Sequence, residues 1–530
     1  MLETVRARRG MVCASHHLAA EAGLSVLREG GNAIEAMVAA AATISVVYPH
    51  MNGLGGDGFW LISEPNRRAP RQISAIGAAA ARADEAFYRD QGLDAVPSRG
   101  PLAANTAAGT VAGWRAALAV SADWGGRLPL ARLLEDPIHH ARAGFPATRS
   151  QCRLTAAKLD ELKDVPGWAA THLSDGKPPV PGHAFKQPAL ARTLERLAAD
   201  GLDDFYRGAL AQDIGADLER AGSPVTAADL ARQSVDESAP LSVKLNAATV
   251  YNVPPPSQGL ASLVILALFE RLGCRAAEAF DHVHGIVEAT KQAILLRNAH
   301  VTDPAHMAVD PMMLLSAQRL DDLAAKIDKA KALPWPVPGA PGDTVWLGAA
   351  DGEGRVVSFI HSIYWEFGSG VCLPETGIQW QNRGSSFSLN GDALNHLRPG
   401  RRPFHTNNPA MAIFDDGRVM AYGSMGGEGQ PQTQAAVFTR YGLFGQDLQQ
   451  AITAPRWILS RTWGDPRTDL RIEGRFDPAL VDALRAAGHE ANVVPDFDEV
   501  MGHAGAVVLH PDGLMEGASD PRCDGRAAAF

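Results

Sequence analysis

Residues 334–363 read PWPVPGAPGD, TVWLGAA, DGEG and RVVSFIHSI in succession, and this stretch decides how the chain divides. Its first ten residues hold four prolines and two glycines. Proline fixes φ and removes a backbone donor, so the segment cannot join a helix or a sheet ladder and reads as an exposed connector. From Thr344 the texture changes. Two apolar runs flank Asp351-Gly352-Glu353-Gly354, the pattern of two strands joined by a tight turn. Further strands are expected at 409–414, 418–423 and 505–510.

Upstream of the connector the pattern is mostly helical. His17 to Glu29 places Leu18, Ala22 and Val26 on one helical face, and Gly30-Gly31-Asn32 stops the run. Ala33 to Val47 is apolar on nearly every face and belongs inside a core. Helical periodicity recurs near 112–122, 187–200, 208–221, 259–272 and 284–300, while Ala248 to Val253 reads as extended and ends at Pro254-Pro255-Pro256. The chain is therefore a helix-rich first part, a connector and a strand-rich second part, with no internal repeat.

The composition excludes several function classes. Of 530 residues, 46% are hydrophobic and 20% charged, as in an ordinary globular protein, and the net charge of −10 is spread rather than blocked. Nucleic acids and anionic membranes both require clustered Lys and Arg, so neither partner is expected. No apolar run is long enough to span a bilayer, and the N-terminus lacks a secretory signal pattern. Cys13, Cys152, Cys274, Cys372 and Cys523 are widely spaced without a Cys-x-x-Cys, which predicts reduced thiols in a cytoplasmic protein and no zinc. Gly53-Leu54-Gly55-Gly56-Asp57-Gly58 matches G-x-G-x-x-G but follows a helix and enters a strand, the wrong context for a dinucleotide. The glycine-rich run at 423–429 lacks the Lys-Ser/Thr of a P-loop, and His16-His17 and His139-His140 have no partners at metal spacing.

Function becomes legible only when several segments are taken together. They are GMVCASHH and its continuation to WLI at 10–62, AAGTVAGW at 107–114, FYRG at 205–208, VTAADL at 225–230 and VPPPSQG at 253–259. HGIVEATKQAILLRNAHVTDP at 284–304, FGSGV at 367–371, GSMGGEGQPQT at 423–433, APRW at 454–457 and GASDPRCDGRA at 517–527 follow. In this order they resemble the γ-glutamyltransferase (glutathione hydrolase) family of N-terminal-nucleophile hydrolases. The resemblance implies an α+β fold, a four-layer αββα sandwich, and a zymogen that cuts itself before a threonine. Counting places the cut between Asp343 and Thr344. Residues 1–343 become a large subunit and 344–530 a small one, which stay associated as one catalytic domain without metal or cofactor. A homo-oligomer is compatible with this reading.

The chemistry accounts for the arrangement. A threonine hydroxyl is a weak nucleophile without an adjacent base, and cleavage frees an α-amine of pKa about 8 on the same residue. The resemblance carries Gly426 and Gly427 over as backbone donors to the oxyanion, and Ser362 as the hydroxyl that bonds the nucleophile. It also exposes departures. The family's NN-x-x-D-D-F segment is QNRGSSF here, so Ser386 stands where an aspartate binds the substrate α-ammonium. Tyr364 replaces an asparagine, and His405 and Thr406 replace paired serines. The family's carboxylate-binding arginine has no clear counterpart, although Asp84 lies near its place with Arg82 two residues away.

Without an anionic partner, an α-ammonium would be buried unpaired at high cost. The expected substrate is therefore an amide of a small acidic acyl group without an α-amine, of the oxamate or glutaryl type, with Arg383, His405 and Thr406 as carboxylate contacts. The stretch between Phe387 and Arg402 is short for the family's lid, which favours hydrolysis over transfer. A true γ-glutamyltransferase is the alternative, and an uncleaved, silent binding relative is the alternative of another class.

Overall fold

A computed structural model describes residues 2–337, 342–459 and 468–530. Two antiparallel sheets form its centre. One has seven strands, in the order Val5–Ala7, Met515–Ser519, Ala504–Leu509, Val419–Ser424, Ala410–Phe414, Ala248–Asn252 and Leu241–Lys244. The other has six, in the order Arg526–Ala529, Gly10–Ala14, Asp343–Asp351, Val356–Tyr364, Asp57–Ser63 and Arg71–Ala75. Both sheets combine strands from before and after Thr344. A cut at that point therefore leaves each fragment with an incomplete sheet that only the other can finish, which keeps the fragments together.

The sheets pack face to face over Met11, Phe59, Trp346, Met411 and Val507. Trp346 explains two glycines within strands. A Cβ on Gly423 or Gly505 would lie 2.2 Å or 2.4 Å from the indole, so the strands of the opposing sheet must be bare there. Helices cover the outer faces. His17–Arg28, Ala33–Val47 and Thr110–Asp123 lie on the six-stranded sheet, and Gly259–Leu272, Gln430–Phe438 and Leu448–Thr453 on the seven-stranded one. The result is the αββα sandwich that the resemblance implied. Ala33–Val47 is buried along its whole length, as its unbroken apolar pattern requires, and Asn32 and Glu35 close its N-terminus as a capping box.

The strands expected at Thr344 and Arg355 form the central hairpin, Asp343–Asp351 with Val356–Tyr364. The connector differs from expectation at its end. Residues 334–337 lie at or near the surface without regular structure and 338–341 lie outside the described residues, but Gly342 and Asp343 are buried and Asp343 already belongs to the strand. Upstream, side chains hold the chain that leads into the connector. His284 bonds the Asp328 carbonyl at 2.8 Å, and Glu288 and Lys291 take the Leu333 N–H and C=O at 3.1 and 2.5 Å. His284, Glu288 and His489 approach one another closely, but the Lys291 ammonium sits 2.7 Å from Glu288, so the protein supplies its own cation there. Among the described residues no helix is long and apolar enough to cross a membrane, and all five cysteines are free thiols.

Candidate active site

Thr344 is fully buried near the start of the central hairpin. The strand pairing runs regularly to His361 opposite Val345, then shifts, so that Tyr364 faces Asp343. One extra residue on the second strand makes a bulge opposite Thr344, which re-aims the Ser362 side chain. The Ser362 hydroxyl donates to the Asp343 carbonyl oxygen and accepts the Tyr364 N–H at 2.8 Å. The expectation that Ser362 would bond the nucleophile is thus shifted by one atom group: it holds the carbonyl just before the nucleophile.

Thr344 Oγ1 also reaches the Asp343 carbonyl oxygen, lies 3.2 Å from Asn407 Oδ1 and accepts from Gln430 Nε2 at 3.3 Å. A hydroxyl held against its own preceding carbonyl, with a second hydroxyl donating to that carbonyl, can undergo an N-to-O acyl shift. The Asp343 carboxyl is buried with neither oxygen bonded among the described residues. Burial, with Glu366 and Glu499 nearby, pushes its pKa well above the usual carboxylate range.

Gly426 and Gly427 follow the strand Val419–Ser424 at φ 120° and 51°, which only glycine adopts without strain. A Cβ on Gly427 would sit 2.9 Å from Gly342 N, and one on Gly342 would sit 2.9 Å from Gly427 Cα. Chain upstream of Thr344 therefore lies flush against this glycine turn. Buried Gln258 fixes the turn from behind, donating to Gly427 O at 2.8 Å and Thr406 O at 2.7 Å, and is itself held by Arg297 at 2.8 Å.

Arg383 is completely buried on a short turn of 3₁₀-helix, Arg383–Ser386. Its Nη1 donates to Thr406 Oγ1 at 3.2 Å, and its guanidinium stacks 3.8 Å from the Tyr364 ring centroid. Nε and Nη2, which share one edge of the guanidinium, have no partner among the described residues. Burial pulls its pKa down to about 10. The position of Thr406 and Tyr364 is tied to the nucleophile strand, because both lie 3.5 Å from the Cβ position of Gly342.

The remaining expected residues divide. His405 is buried beside Arg383, but its Nε2 is taken by Asp57 Oδ2 at 2.9 Å, and Nδ1 is unpartnered among the described residues. Ser386 bonds the Phe404 carbonyl at 3.3 Å and lines a cavity of about 460 Å³ with Tyr364, Trp365, Phe404 and Glu428. Asp84 caps a surface helix, and Arg82 pairs with Glu219 in solvent, so neither replaces the family's arginine. Arg383 lies buried against Tyr364 and Thr406, while the guanidinium that lines the cavity is that of Arg297, paired with Glu428 at 2.9 Å. Asp57, Asn407, Gln430 and Gln258 were not singled out from the sequence. Asn407 adjoins Thr406, Gln430 lies three residues beyond Gly427, and Asp57 sits in a glycine run whose signal lies in its glycines.

This geometry has relatives. A model of the gamma-glutamyltranspeptidase family matches residues 19–530. The chain belongs to that family. It is 55% identical over 522 residues to the oxamate amidohydrolase proenzyme of Klebsiella pneumoniae, covering 98% of each. It is 40% identical over 532 residues to a glutathione hydrolase-like proenzyme of Bacillus subtilis, covering all of both. Its structure superposes on that of a cephalosporin acylase from Bacillus halodurans with a TM-score of 0.91 at 34% identity, covering all of this chain and 97% of that one. As a member of the family the chain is an enzyme, a self-processing amidohydrolase with the N-terminal-nucleophile fold.

Proposed function

We propose that the chain cuts itself between Asp343 and Thr344 and then uses Thr344 to hydrolyse the amide of a short acidic acyl group without an α-amine, with oxamate as the leading substrate. The observation that carries the substrate reading is the free Nε/Nη2 edge of buried Arg383. Two parallel donors on a buried guanidinium are the complement of a carboxylate, and leaving them unpaired is costly enough to point to a ligand. The 55% identity to an oxamate amidohydrolase supports the same acyl class.

Self-cleavage begins when Thr344 Oγ1 attacks the Asp343 carbonyl carbon. Ser362 stabilises the resulting oxyanion, the C–N bond breaks, and an ester to Thr344 forms with its α-amine released. Water hydrolyses the ester to fragments of 343 and 530 − 343 = 187 residues. In turnover the α-amine takes the hydroxyl proton, Oγ1 attacks the substrate amide, and the Gly426 and Gly427 N–H groups receive the oxyanion. The amine leaving group departs with the proton, and water releases the acid from the acyl-enzyme. Gln430 and Asn407 hold Oγ1 in line, and the large and small fragments remain associated through their shared sheets.

An acyl group of glutaryl length is the second reading, favoured by one observation. Gly342 Cα is separated from the Asp343 carbonyl carbon by as many bonds as separate the two carbonyl carbons of a glutaryl group. It lies beside Thr406 and Tyr364, which flank Arg383. Intact mass of the purified protein and of Thr344→Ala, followed by turnover of oxamate, a glutaryl amide and glutathione, tests the proposal. Two fragments meeting at Asp343/Thr344, absent from the variant, and preference for an acid amide over glutathione are expected. An uncut, inactive wild type would leave the silent-relative reading, and equal turnover of glutathione would defeat the acyl-group assignment.

A further inference from the structure

Behind Arg383 lies a buried pair that the proposed reaction does not use. Asp57 begins the strand Asp57–Ser63, and neither it nor His405 is exposed to solvent. Asp57 Oδ1 accepts the N–H groups of Gly77 at 2.8 Å and Gly109 at 3.0 Å, and Oδ2 meets His405 Nε2 at 2.9 Å. Three donors fit an ionised carboxylate with a neutral imidazole protonated at Nε2. That leaves His405 Nδ1 as a bare acceptor, which agrees with its lack of a partner among the described residues.

A charge balance follows. At rest, Arg383 and Asp57 cancel in a dry site. A substrate carboxylate on the free edge of Arg383 would leave one uncompensated negative charge there, and such a charge is costly in a low-dielectric interior. We propose that Asp57 is a specificity-determining residue: the Asp57–His405 pair takes up one proton when a carboxylate docks on Arg383. The added proton enters at Oδ2, which then donates to His405 Nε2, while the imidazole proton moves to Nδ1. The pair thus goes from one proton to two, and neither residue becomes a cation. This inference rests on the carboxylate-binding role of Arg383 given above.

The titration behaviour agrees with the geometry. Burial already pushes Asp57 up to about 7, against the pull of Gly77, Arg383, Gln381 and Gly109. An arriving anion raises it further. His405 itself is no site for a separate positive charge, because burial and Arg383 hold its pKa well below the usual imidazole range. The other titratable group that feels Asp57 is Tyr206, from the helix Asp204–Arg207, and burial raises it far out of the working range. Tyr364, stacked on Arg383, is likewise raised by burial. Cleavage also frees the Thr344 α-amine, a group whose ordinary pKa is about 8, so its titration must be separated from that of Asp57 experimentally.

The test uses processed enzyme with oxalate as a competitive inhibitor, because oxalate is the product acid of oxamate and stays ionised throughout. Inhibition constants are measured from pH 5.5 to 9 for wild type, Asp57→Asn and Arg383→Met. For wild type the constant should be flat below about pH 6.5 and rise about tenfold per pH unit from about pH 7. Calorimetry in buffers of different ionisation enthalpy should show uptake of about half a proton at pH 7 and close to one at pH 8. Asp57→Asn should lose the break near pH 7 and keep only the later one from the α-amine. A wild-type constant that is flat from pH 6 to 8 without proton uptake overturns the inference, and so does an Asp57→Asn profile that keeps the break. If Arg383→Met leaves oxalate binding unchanged, the carboxylate reading has failed. If it weakens binding while wild type takes up no proton, only the role of Asp57 has failed.

Discussion

Replacing Arg383 with methionine should make the protein more stable and the enzyme far worse. The guanidinium is wholly buried with one hydrogen bond, and burial lowers its pKa from 12.5 to about 10. At 1.36 kcal/mol per pKa unit, holding that charge in the interior costs about 3 kcal/mol. Methionine retains an unbranched apolar stem against Tyr364 and removes the charge, so uncleaved Arg383→Met/Thr344→Ala should unfold at equal or higher temperature than Thr344→Ala. Activity should move the other way. Two charge-assisted hydrogen bonds to a substrate carboxylate are worth about 1.5–3 kcal/mol each, which predicts a loss of roughly 10²–10⁴ in kcat/KM for oxamate. The assay is kcat/KM on fully processed protein for oxamate beside its uncharged counterpart oxamide, with unfolding temperature followed by calorimetry. A loss under tenfold, or an equal loss on oxamide, would refute the assignment of the free edge to the carboxylate. A marked drop in unfolding temperature would refute the claim that the free edge of the guanidinium is unsatisfied at rest.

Other positions separate processing from turnover. Ser362→Ala should slow self-cleavage by about 10²–10³-fold, the usual cost of one oxyanion donor, and Ser362→Thr should restore it, both followed as the rate of fragment appearance. Gly342→Ala should also slow cleavage, because its Cβ would fall 2.9 Å from Gly427 Cα, yet each chain that does cut should show ordinary specific activity. Asp343→Asn in uncleavable Thr344→Ala should remove a pH dependence. The folded pKa of Asp343 is raised, so Thr344→Ala matches the double variant below the ordinary carboxylate pKa and loses up to about 1.4 kcal/mol per pH unit above it, until its folded pKa is passed. Denaturant unfolding from pH 3 to 8 would show this, and parallel curves would count against an unpartnered buried carboxyl.

Much of the fold was legible because local pattern and tertiary environment agree. Ala33–Val47 reads as a core helix from its unbroken apolar run, and the helices at Pro188–Asp200, Ala209–Ala221 and Gly259–Leu272 fall within a residue or so of their periodicity. The helix expected from 284 begins four residues earlier, at Phe280, because Asp281, His282 and Val283 carry no start signal that separates them from the loop. The connector was harder. Its prolines and glycines do exclude regular structure, but the descent of Gly342 and Asp343 into the interior depends on the glycine turn at 426–427, which is remote in sequence.

The sequence by itself determined the division at the connector through periodicity and turn chemistry, and through the family resemblance carried by its motif order it implied the nucleophile candidate Thr344, the glycine pair and the αββα architecture. These are properties of short windows, or of windows in series. The tertiary structure alone decided what each polar side chain does. It turned Ser362 from the nucleophile to the Asp343 carbonyl through a bulge, tied His405 to Asp57 across 348 positions of chain, and left one edge of Arg383 open. Hydrogen-bond partnership and desolvation depend on which distant segments share a dry space, and no local pattern encodes that.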